Sequence, residues 1–407
     1  MTIALAIYAG LCLLYWLRTA YGVYRVRAGV GLLTDLEIPD PPIWPAVSVV
    51  VPACNEADKF ESAARTLLDQ DYENLEIILV DDRSTDATGE IADRLAASDP
   101  RVRTIHISDL PGGWLGKVNA LNRGLSESGG DIILFTDADV HHRSDVLRRA
   151  VAFMQTEELD HLAGCPSLES SSGMLTDSLI AAFLRQLFAV FLPSWKVADP
   201  GSRAFFGVGA FNMVRRSALE ATEGLEWLKL ETGDDMGLGL MMKQSGAKCR
   251  VMSMSDLVSV QWYGSLGEVM RGSEKVYASG ANCRLAPIIL SAAIVPALEA
   301  SPILCLLPLA WPQTRLAGLP GLPIAMLFAW STIALARWGR ARIGPGLLAP
   351  FTAGITAVIL LRAGILGWRR GGIMWRGTLY QSAALREGRR LRLGRIGDAP
   401  ISERPTA

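Results

Sequence analysis

The sequence predicts an α/β domain with a parallel-rich sheet that is tethered to a membrane by apolar segments at both ends. Half of the 407 residues are hydrophobic and the mean hydropathy is +0.25, which is high for a soluble enzyme and excludes a disordered chain. From residue 46 onward, short apolar runs alternate with amphipathic stretches, the order typical of a parallel sheet covered by helices. The formal net charge of −1 divides into −11 for residues 41–284 and +10 for residues 285–407. An acidic middle argues against a nucleic-acid partner, because binding to phosphates requires a basic face.

The first segment, residues 1–24, is predicted to be a transmembrane anchor. Residues 3–17 contain no charge, and the first arginines, Arg18, Arg25 and Arg27, come after the apolar run. A cleaved signal peptide carries its positive charge before the run. Since positive residues stay on the cytoplasmic side, the N-terminus is expected outside and the following domain in the cytoplasm.

The middle domain, residues 45–284, contains the alternating elements in order. Apolar runs predict strands over residues 47–51, 75–80, 102–107 and 132–135, and helical spacing predicts helices over 56–69, 87–97 and 118–126. In such sheets ligands bind beyond the carboxyl ends of the strands. A later apolar stretch, residues 178–195, fits either a core helix or a helix lying in the membrane interface.

Three apolar stretches, residues 285–312, 316–336 and 347–367, form the predicted C-terminal membrane region 285–367, followed by an Arg-rich cytoplasmic tail, 368–407. Three crossings would place that tail outside, against the positive-inside rule, so one stretch is expected not to span. The first is the main suspect for a broken or re-entrant segment, because it contains Pro287, Pro296, Pro302, Pro308 and Glu299. The last, which contains Arg362, is the second suspect.

Acidic side chains follow three of the predicted strands, at Glu56, at Asp81 and Asp82, and at Asp137 and Asp139. Residues i and i+2 of an extended chain face the same side, so Asp137 and Asp139 are expected to point together and to suit Mg²⁺ or Mn²⁺. His141 is a further possible ligand, although a solvated loop histidine explains it as well. Asp81 or Asp82 is expected to accept hydrogen bonds from a base or ribose. Neither GxxxxGK[ST] nor a GxGxxG after the first strand occurs, which disfavours the P-loop and dinucleotide folds.

Five segments in order resemble the motifs of family 2 glycosyltransferases with a GT-A fold: VSVVVPACNEAD, ILVDDRSTDAT, GWLGKVNALNRG, ILFTDADV and GDDMGLGLMMKQSG. The resemblance covers about residues 45–285. It is closest in appearance to membrane-anchored bacterial members such as the hopanoid-associated and carotenoid glycosyltransferases, which share one N-terminal anchor, several C-terminal apolar segments and a late WRGxxY-like element, here residues 375–380.

The resemblance implies a nucleotide-sugar-binding GT-A domain and roles for individual residues. It implies nucleotide-sugar contacts for Pro52, Ala53, Asn55, Glu56, Asp81, Asp82, Lys117 and Asp137, with Lys117 reaching the sugar or a phosphate. It implies metal ligation by Asp139 with Asp137, catalysis by Asp235 as general base beside Asp234, and an acceptor-side loop with Gly207, Gly209 and Asn212. Asp234 stands where many members have Glu, which leaves Asp235 in register.

The predicted activity is inverting transfer of one sugar from a nucleotide-sugar, foremost a UDP-sugar, to a lipid hydroxyl of a hopanoid, carotenoid or sphingolipid-like acceptor. The QxxRW motif of processive synthases is missing, which favours transfer of a single sugar; whether Arg271 or Lys275 replaces its arginine is open. The predicted location is the bacterial inner membrane with the catalytic domain in the cytoplasm. The alternatives are a polyprenyl-phosphate sugar transferase and a catalytically inactive membrane scaffold. The oligomeric state is left open.

Overall fold

The computed structural model describes residues 2–169, 173–281 and 283–391. Within these ranges the chain divides into two compact units. The helical unit comprises Met1–Gly29, Glu169–Pro193 and Trp262–Ala383, and the sheet unit comprises Val30–Leu168, Ser194–Gln261 and the chain from Ala384. The chain therefore leaves the sheet unit and returns to it twice.

The strands, in chain order, are β1 (Val47–Ala53), β2 (Leu75–Asp82), β3 (Val102–Ile107), β4 (Ile132–Phe135), β5 (Val140–His142), β6 (His161–Cys165), β7 (Ser167–Leu168), β8 (Asn212–Arg215), β9 (Cys249–Ser253), β10 (Val258–Val260), β11 (Gly372–Trp375) and β12 (Thr378–Gln381). The α-helices are α1 (Thr2–Gly29), α2 (Ala57–Leu68), α3 (Thr88–Ser98), α4 (Gly116–Ser126), α5 (Val146–Thr156), α6 (Met174–Gln186), α7 (Arg216–Glu220), α8 (Asp234–Gln244), α9 (Leu266–Gly280), α10 (Leu285–Leu304), α11 (Arg315–Gly318), α12 (Gly321–Trp338), α13 (Ile343–Leu347), α14 (Ala349–Arg370) and α15 (Ser382–Glu387). A π-helical turn, Leu187–Phe191, continues α6.

The sheet unit is built on a seven-stranded sheet in the order β3-β2-β1-β4-β8-β6-β9. Strands β3, β2, β1 and β4 are parallel, whereas β8 runs antiparallel to both of its neighbours. Strands β1 and β4 are buried along their whole length, as expected for strands covered by helices on both faces. The α/β fold class and the first four predicted strands are confirmed. The antiparallel β8 makes the sheet mixed.

The order of the strands reverses at β1. The chain passes from β1 to β2 and β3 on one side of the sheet and then returns to β4, which pairs with the other side of β1. At such a point the crossover helices leave on opposite faces and a crevice opens at the carboxyl ends of the two strands. The polar segments after β1 and β4 therefore meet in one place. A smaller sheet, β5-β10-β7, begins directly after β4.

Five helical segments are long and apolar enough to cross a membrane: Ile3–Gly29, Met174–Lys196, Leu285–Ala310, Arg315–Trp338 and Ala349–Arg370. Four of these correspond to the predicted membrane segments, although the first is longer than residues 1–24. Within the stretch 285–312, α10 continues through Pro296 and Pro302 and ends at Leu304, before a 3-10 turn at Leu307–Ala310; whether this stretch is re-entrant stays a prediction. An internal proline removes one backbone hydrogen bond without ending a helix whose other side is packed.

Glu299 is tolerated in α10 because it forms a buried ion pair with Arg185 of α6, and both side chains are almost fully enclosed. The Tyr15 hydroxyl donates to Glu299 Oε1 at 2.7 Å, and the Gln186 amide donates to the same oxygen at 3.2 Å. Ionisable residues in apolar helices are usually paired with one another in this way.

The described part of the predicted Arg-rich tail, residues 368–391, contains regular structure. Its first residues end α14, strands β11 and β12 form an antiparallel hairpin, and α15 follows. The turn of the hairpin contains Arg376 and Gly377, both with positive φ, as a tight two-residue hairpin loop requires. Residues 392–407 of the tail prediction lie outside the described residues.

Candidate active site

A cleft opens at the carboxyl end of β4, between this strand, α4 and the first turn of α8. Side chains from α4, β4, α8 and the loops before β8 and α8 line it: Lys117, Val118, Leu121, Phe135, Thr136, Asp137, Gly209, Asn212, Leu225, Leu228, Asp234, Asp235 and Leu238. The cleft thus joins the third, fourth and fifth sequence motifs, which lie far apart along the chain.

Lys117 lies between the two groups of carboxylates. Its Nζ is 2.6 Å from Asp137 Oδ1 and 3.0 Å from Asp234 Oδ2, and the side chain is one-quarter exposed. Burial favours loss of the proton, but attraction to Asp137, Asp234 and Asp235 outweighs it and raises the pKa of Lys117 well above its usual value. The ammonium therefore offsets the repulsion expected of clustered strand-end carboxylates. The sequence predicted instead that Lys117 reaches the sugar or a phosphate.

Asp137 and Asp139 follow β4 in a turn rather than in extended chain, so the alternation argument for their orientation was wrong. Ala138 between them is buried, as predicted. Burial, together with the charges of Asp137 and Glu56, raises the pKa of Asp139 to about 6. These effects outweigh the attraction of Lys59, and a half-buried carboxylate beside two other carboxylates is suited to a divalent metal.

His141 lies in β5, where it pairs with Ser259 of β10. Across residues 2–169, 173–281 and 283–391, no three His, Cys, Asp or Glu side chains are grouped closely enough to hold a metal. The described structure thus offers Asp137 and Asp139 as protein ligands without His141. This set fits Mg²⁺ or Mn²⁺, which usually keep several waters and take other ligands from phosphates.

Asp235 is held firmly in the first turn of α8. Its Oδ2 accepts the Gly209 N–H at 3.0 Å, and its Oδ1 accepts the Met236 N–H at 2.8 Å. Burial and the neighbouring charge of Asp234 raise the pKa of Asp235 to about 6. A fixed, partly exposed carboxylate with a pKa close to neutrality has the properties of a general base.

A buried pair of side chains behind Asp235 was missed from the sequence. The Asn212 amide donates to the Asp235 carbonyl at 3.1 Å, and its Oδ1 contacts His161 Nε2 at 2.6 Å. Burial lowers the pKa of His161 to about 4, so its ring is neutral. Asn212 was predicted as an acceptor-side residue, whereas the structure uses it to hold the backbone of α8. No motif marks His161, and only its burial in β6 identifies it.

The glycines of the predicted acceptor-side loop allow this close packing. A Cβ at Gly207 would lie 1.8 Å from the Asp235 carbonyl oxygen, and one at Gly209 would lie 2.6 Å from Asp137 Oδ2. In addition, the Asp137 N–H donates to the Gly209 carbonyl at 3.0 Å. The loop therefore contacts both the segment after β4 and the first turn of α8, as the predicted close backbone approach requires.

Substituting Gly207 with alanine is expected to displace the first turn of α8 and to lower turnover by about tenfold or more, since overpacking costs about 1–3 kcal/mol. Gly112→Ala is the matched control, because a Cβ there meets nothing within 4 Å. Initial rates and melting temperatures of the two purified variants check this. Equal rates for both would show that the loop is not constrained.

The loops after β1 and β2 are joined by side-chain hydrogen bonds. Asn55, which has a φ of 54°, accepts the Thr85 N–H at 2.8 Å, and its own N–H donates to Ser84 Oγ at 3.0 Å. Asp86 Oδ2 accepts the Ala57 N–H at 3.1 Å. The structure thus brings the first two predicted motifs together at adjacent strand ends.

The remaining predicted nucleotide-binding residues occupy the same edge. Pro52 and Ala53 are the buried last residues of β1, and Glu56 precedes α2 with its N–H donating to Thr88 Oγ1 at 2.9 Å. This edge presents backbone and carboxylate groups beside the crevice, where a nucleoside would bind.

Asp81 and Asp82 have partners that the sequence did not indicate. Arg83, in the left-handed region with a φ of 58°, contacts both carboxylate oxygens of Asp82 at 2.8 and 3.0 Å. His106 lies between Asp81 and Asp93, at 3.0 and 2.9 Å, and these carboxylates raise its pKa. The sequence alone gives little reason to assign His106 a partner, because a lone histidine in an edge strand is ordinarily a solvated side chain.

Arg271 and Lys275, the candidates to replace the missing arginine, both lie in α9 of the helical unit. The Lys275 ammonium lies 4.6 Å from the centre of the Trp375 ring, a cation–π contact within that unit. Their role in the reaction stays a prediction.

Residues 48–222 match the family model described as "Glycosyl transferase family 2". Glycosyltransferase GlyG of Streptococcus pneumoniae serotype 4 is 35% identical over 118 residues, which are 29% of this chain and 38% of that protein. The beta-monoglucosyldiacylglycerol synthase of Synechocystis sp. is 28% identical over 207 residues, 49% of this chain and 40% of that protein. The chain thus spans less than half the length of both relatives.

The solved structure of the mannosyltransferase PcManGT from Pyrobaculum calidifontis, in complex with GDP-Man and Mn²⁺, aligns with 90% of this chain and 97% of its own. The TM-score is 0.51 and the identity is 21%, a likeness that shows the fold. The matched family region contains the strand ends and Lys117, and it stops before Asp235. Residues 48–222 of this chain therefore match the family 2 glycosyltransferase model, and the fold is shared with PcManGT.

Proposed function

We propose that the protein transfers a single sugar from a nucleotide-sugar to a hydroxyl group of a membrane lipid, with inversion at the anomeric carbon. The observation that carries this is the joining of Asp137, Asp234 and Asp235 around Lys117 in one cleft at the carboxyl end of β4. In this proposal, one side of the cleft holds the donor phosphates, and a carboxylate on the other side is free to act as the general base.

In the proposed reaction the acceptor oxygen attacks the anomeric carbon of the donor. A new carbon–oxygen bond forms while the bond to the nucleoside diphosphate breaks, and the diphosphate leaves with that electron pair. Asp235 accepts the hydroxyl proton of the acceptor, and its raised pKa near 6 leaves it ionised at neutral pH. The Gly209 and Met236 N–H groups fix its orientation.

Asp139 and Asp137 are the residues that would hold Mg²⁺ or Mn²⁺, and a bound ion would neutralise charge on the leaving diphosphate. The raised pKa of Asp139 supports this, because a bound cation would offset the burial and the carboxylate repulsion that cause it. PcManGT was solved in complex with Mn²⁺, which agrees with a divalent ion in this fold.

Chelation of divalent ions is expected to abolish transfer, and Mn²⁺ or Mg²⁺ should restore it. Asp139→Asn is expected to raise the metal concentration needed for half-maximal rate by about tenfold or more, because it removes one charged ligand. Rates titrated with Mn²⁺ after EDTA treatment measure this. Full activity of the chelated protein would remove the metal from the proposal.

A lipid acceptor is supported by the five apolar helices and by the name of one relative. The name of this relative, beta-monoglucosyldiacylglycerol synthase, refers to a diacylglycerol lipid, and the relative aligns with 49% of this chain. A hopanoid, carotenoid or sphingolipid offers the same chemistry, a hydroxyl at the membrane surface. The proposed location is a bacterial inner membrane.

The connections between the units support an even number of membrane crossings after Gln261. The sheet unit includes both Gln261 and the chain from Ala384, so both lie on the same side if this unit lies on one side. One of the three C-terminal apolar segments then does not cross, in agreement with the positive-inside argument. The segment Met174–Lys196 connects Leu168 to Ser194, and both of these residues belong to the sheet unit. By the same argument, this segment lies in the membrane interface or in a helical bundle and does not cross the membrane.

Reporter fusions are expected to place the N-terminus outside and the C-terminus in the cytoplasm. A C-terminal green fluorescent protein should fluoresce, whereas C-terminal alkaline phosphatase should be inactive. At the N-terminus the two reporters should behave in the opposite way. An active C-terminal phosphatase would contradict the even number of crossings.

A donor panel tests the proposed function directly. UDP-sugars and GDP-mannose are each incubated with the purified protein and a total lipid extract, and products are read by mass. A hexose increment on a neutral hydroxylated lipid is the expected result. An increment found only on polyprenyl phosphate would favour the polyprenyl-phosphate transferase, and no increment together with absent donor binding would favour the inactive scaffold.

A further inference from the structure

Glu231 is a buried carboxylate that precedes the catalytic turn and takes no part in the proposed reaction. It is 2% exposed. Its Oε1 accepts the Gly233 N–H at 3.0 Å, and its Oε2 accepts the N–H groups of Arg390 and Leu391 at 2.7 and 2.9 Å. One side chain thus connects the residue before α8 to a segment 159 and 160 residues further along the chain.

Residues 388–391, which we name the C-terminal strap, pack closely along the loop before α8. A Cβ at Gly388 would lie 2.3 Å from Leu230 Cβ, so the two backbones approach more closely than a side chain at Gly388 would allow. The Arg390 guanidinium lies 4.9 Å from the centre of the Trp227 ring, and its Nε donates to the Trp227 carbonyl at 2.9 Å. The strap is therefore held by backbone, charge and ring contacts together.

The loop under the strap forms one wall of the cleft. Leu225 and Leu228 line the cleft with Asp235, which follows in the next turn. On the other side, the Lys229 carbonyl accepts the Leu115 N–H at 2.7 Å, two residues before Lys117. The loop is thus fixed from the cleft side by α4 and from the outer side by the strap.

We propose that Glu231 is a positioning residue, and that the C-terminal strap holds the Asp234–Asp235 turn in its reactive geometry through it. Asp235 reaches the acceptor from the first turn of α8, and the residue before this helix is bound to the Glu231 carboxylate. Sugar transfer then depends on a segment that follows the last apolar helix of the chain. The kinetic part of this inference rests on the proposed function; the structural part does not.

A displaced base lowers the rate of the chemical step without weakening the donor site, since a misplacement of about 1 Å costs roughly 10²-fold. The hydrogen bonds of Arg390 and Leu391 go to Glu231 and Trp227, on the loop before α8 and on the side of the base. Loss of the strap is therefore expected to lower kcat by about ten- to a hundredfold and to leave the donor KM within about threefold.

The decisive comparison is Arg390→Pro against Arg390→Ala in the full chain. Proline removes the backbone N–H that Glu231 accepts, whereas alanine keeps this N–H and loses only the contacts to Trp227. Arg390→Pro is expected to lower kcat, and Arg390→Ala to change it by less than about threefold. A chain ending at Glu387 against one ending at Leu391 gives a second pair, because only the latter keeps the strap.

Hydrogen exchange of the Gly233–Asp235 amides, measured by mass spectrometry, provides a readout that does not require activity. Faster exchange in Arg390→Pro and in the chain ending at Glu387, with a low kcat and an unchanged donor KM, supports the proposal. Unchanged exchange in both overturns it, whatever the rates. If the variants exchange faster but the parent protein transfers no sugar, the structural role of the strap is supported and the proposed function is contradicted.

Discussion

Replacing Asp235 with asparagine is expected to lower kcat for transfer to a lipid hydroxyl by about 10²- to 10⁴-fold, the range that a positioned general base contributes. Asparagine retains one oxygen that can accept the Gly209 N–H and loses the acceptor of the Met236 N–H, so the turn should persist with a small loss of stability and the donor site should be retained. The donor Kd, measured by calorimetry, and the melting temperature should therefore stay close to those of the parent protein. Initial rates with the donor and acceptor found in the panel check the prediction.

The pH dependence follows from the same residue. Burial and the charge of Asp234 raise the pKa of Asp235 to about 6, so the carboxyl is protonated and inactive as a base below this pH. The rate should rise with pH through this value and be roughly tenfold lower at pH 5 than at pH 7. A flat profile between pH 5 and 7, or wild-type turnover by Asp235→Asn, would show that another group accepts the proton.

Replacing Lys117 with methionine is expected to destabilise the protein in the absence of divalent ions and to change its response to them. The substitution leaves Asp137 and Asp234 without the cation that lies 2.6 and 3.0 Å from them. The cost is expected to be about 1–3 kcal/mol, less than for a fully enclosed pair, because Lys117 is one-quarter exposed. Turnover should fall as well, since the ammonium no longer fixes the two carboxylates.

Manganese should restore more stability to Lys117→Met than it adds to the parent protein. The ammonium and a divalent ion both bind Asp137, so removing one favours the other, and a ligand of the folded state raises its stability. Melting curves at a series of Mn²⁺ concentrations measure this. Lys248→Met is the control, since Lys248 is an exposed lysine that does not line the cleft. Equal Mn²⁺ responses for both variants would contradict the role of Lys117.

The strand ends were predictable because each depends on a local pattern. An apolar run followed by polar residues marked the ends of β1, β2 and β4, and the order of the runs predicted parallel pairing. Asp81, Asp82 and Asp137 could be placed at one edge because carboxyl ends of parallel strands meet there, whereas Asp235, in the first turn of α8, was assigned only by the family resemblance. The orientation of Asp139 could not be predicted, because the chain turns after β4 and the alternation of an extended strand stops there.

Partners that come from distant parts of the chain were missed for a different reason. Lys117 was expected at the donor, and the structure places it between Asp137 and Asp234. Glu231 and Arg390 meet across 159 residues. No periodicity or spacing records such contacts, because they depend on how helices and loops pack against the sheet and not on the local sequence.

The sequence by itself determined the division into apolar ends and an acidic α/β middle, together with the residues that occupy its strand ends. These features follow from hydropathy, charge and short-range patterning, which act within about 20 residues. Only the tertiary structure decided the antiparallel β8, the Lys117 bridge, the support of Asp235 by Gly209 and Asn212, and the strap on Glu231. Buried polar groups require partners wherever the packed chain brings them, so the last details of the site were decided by packing and not by motif.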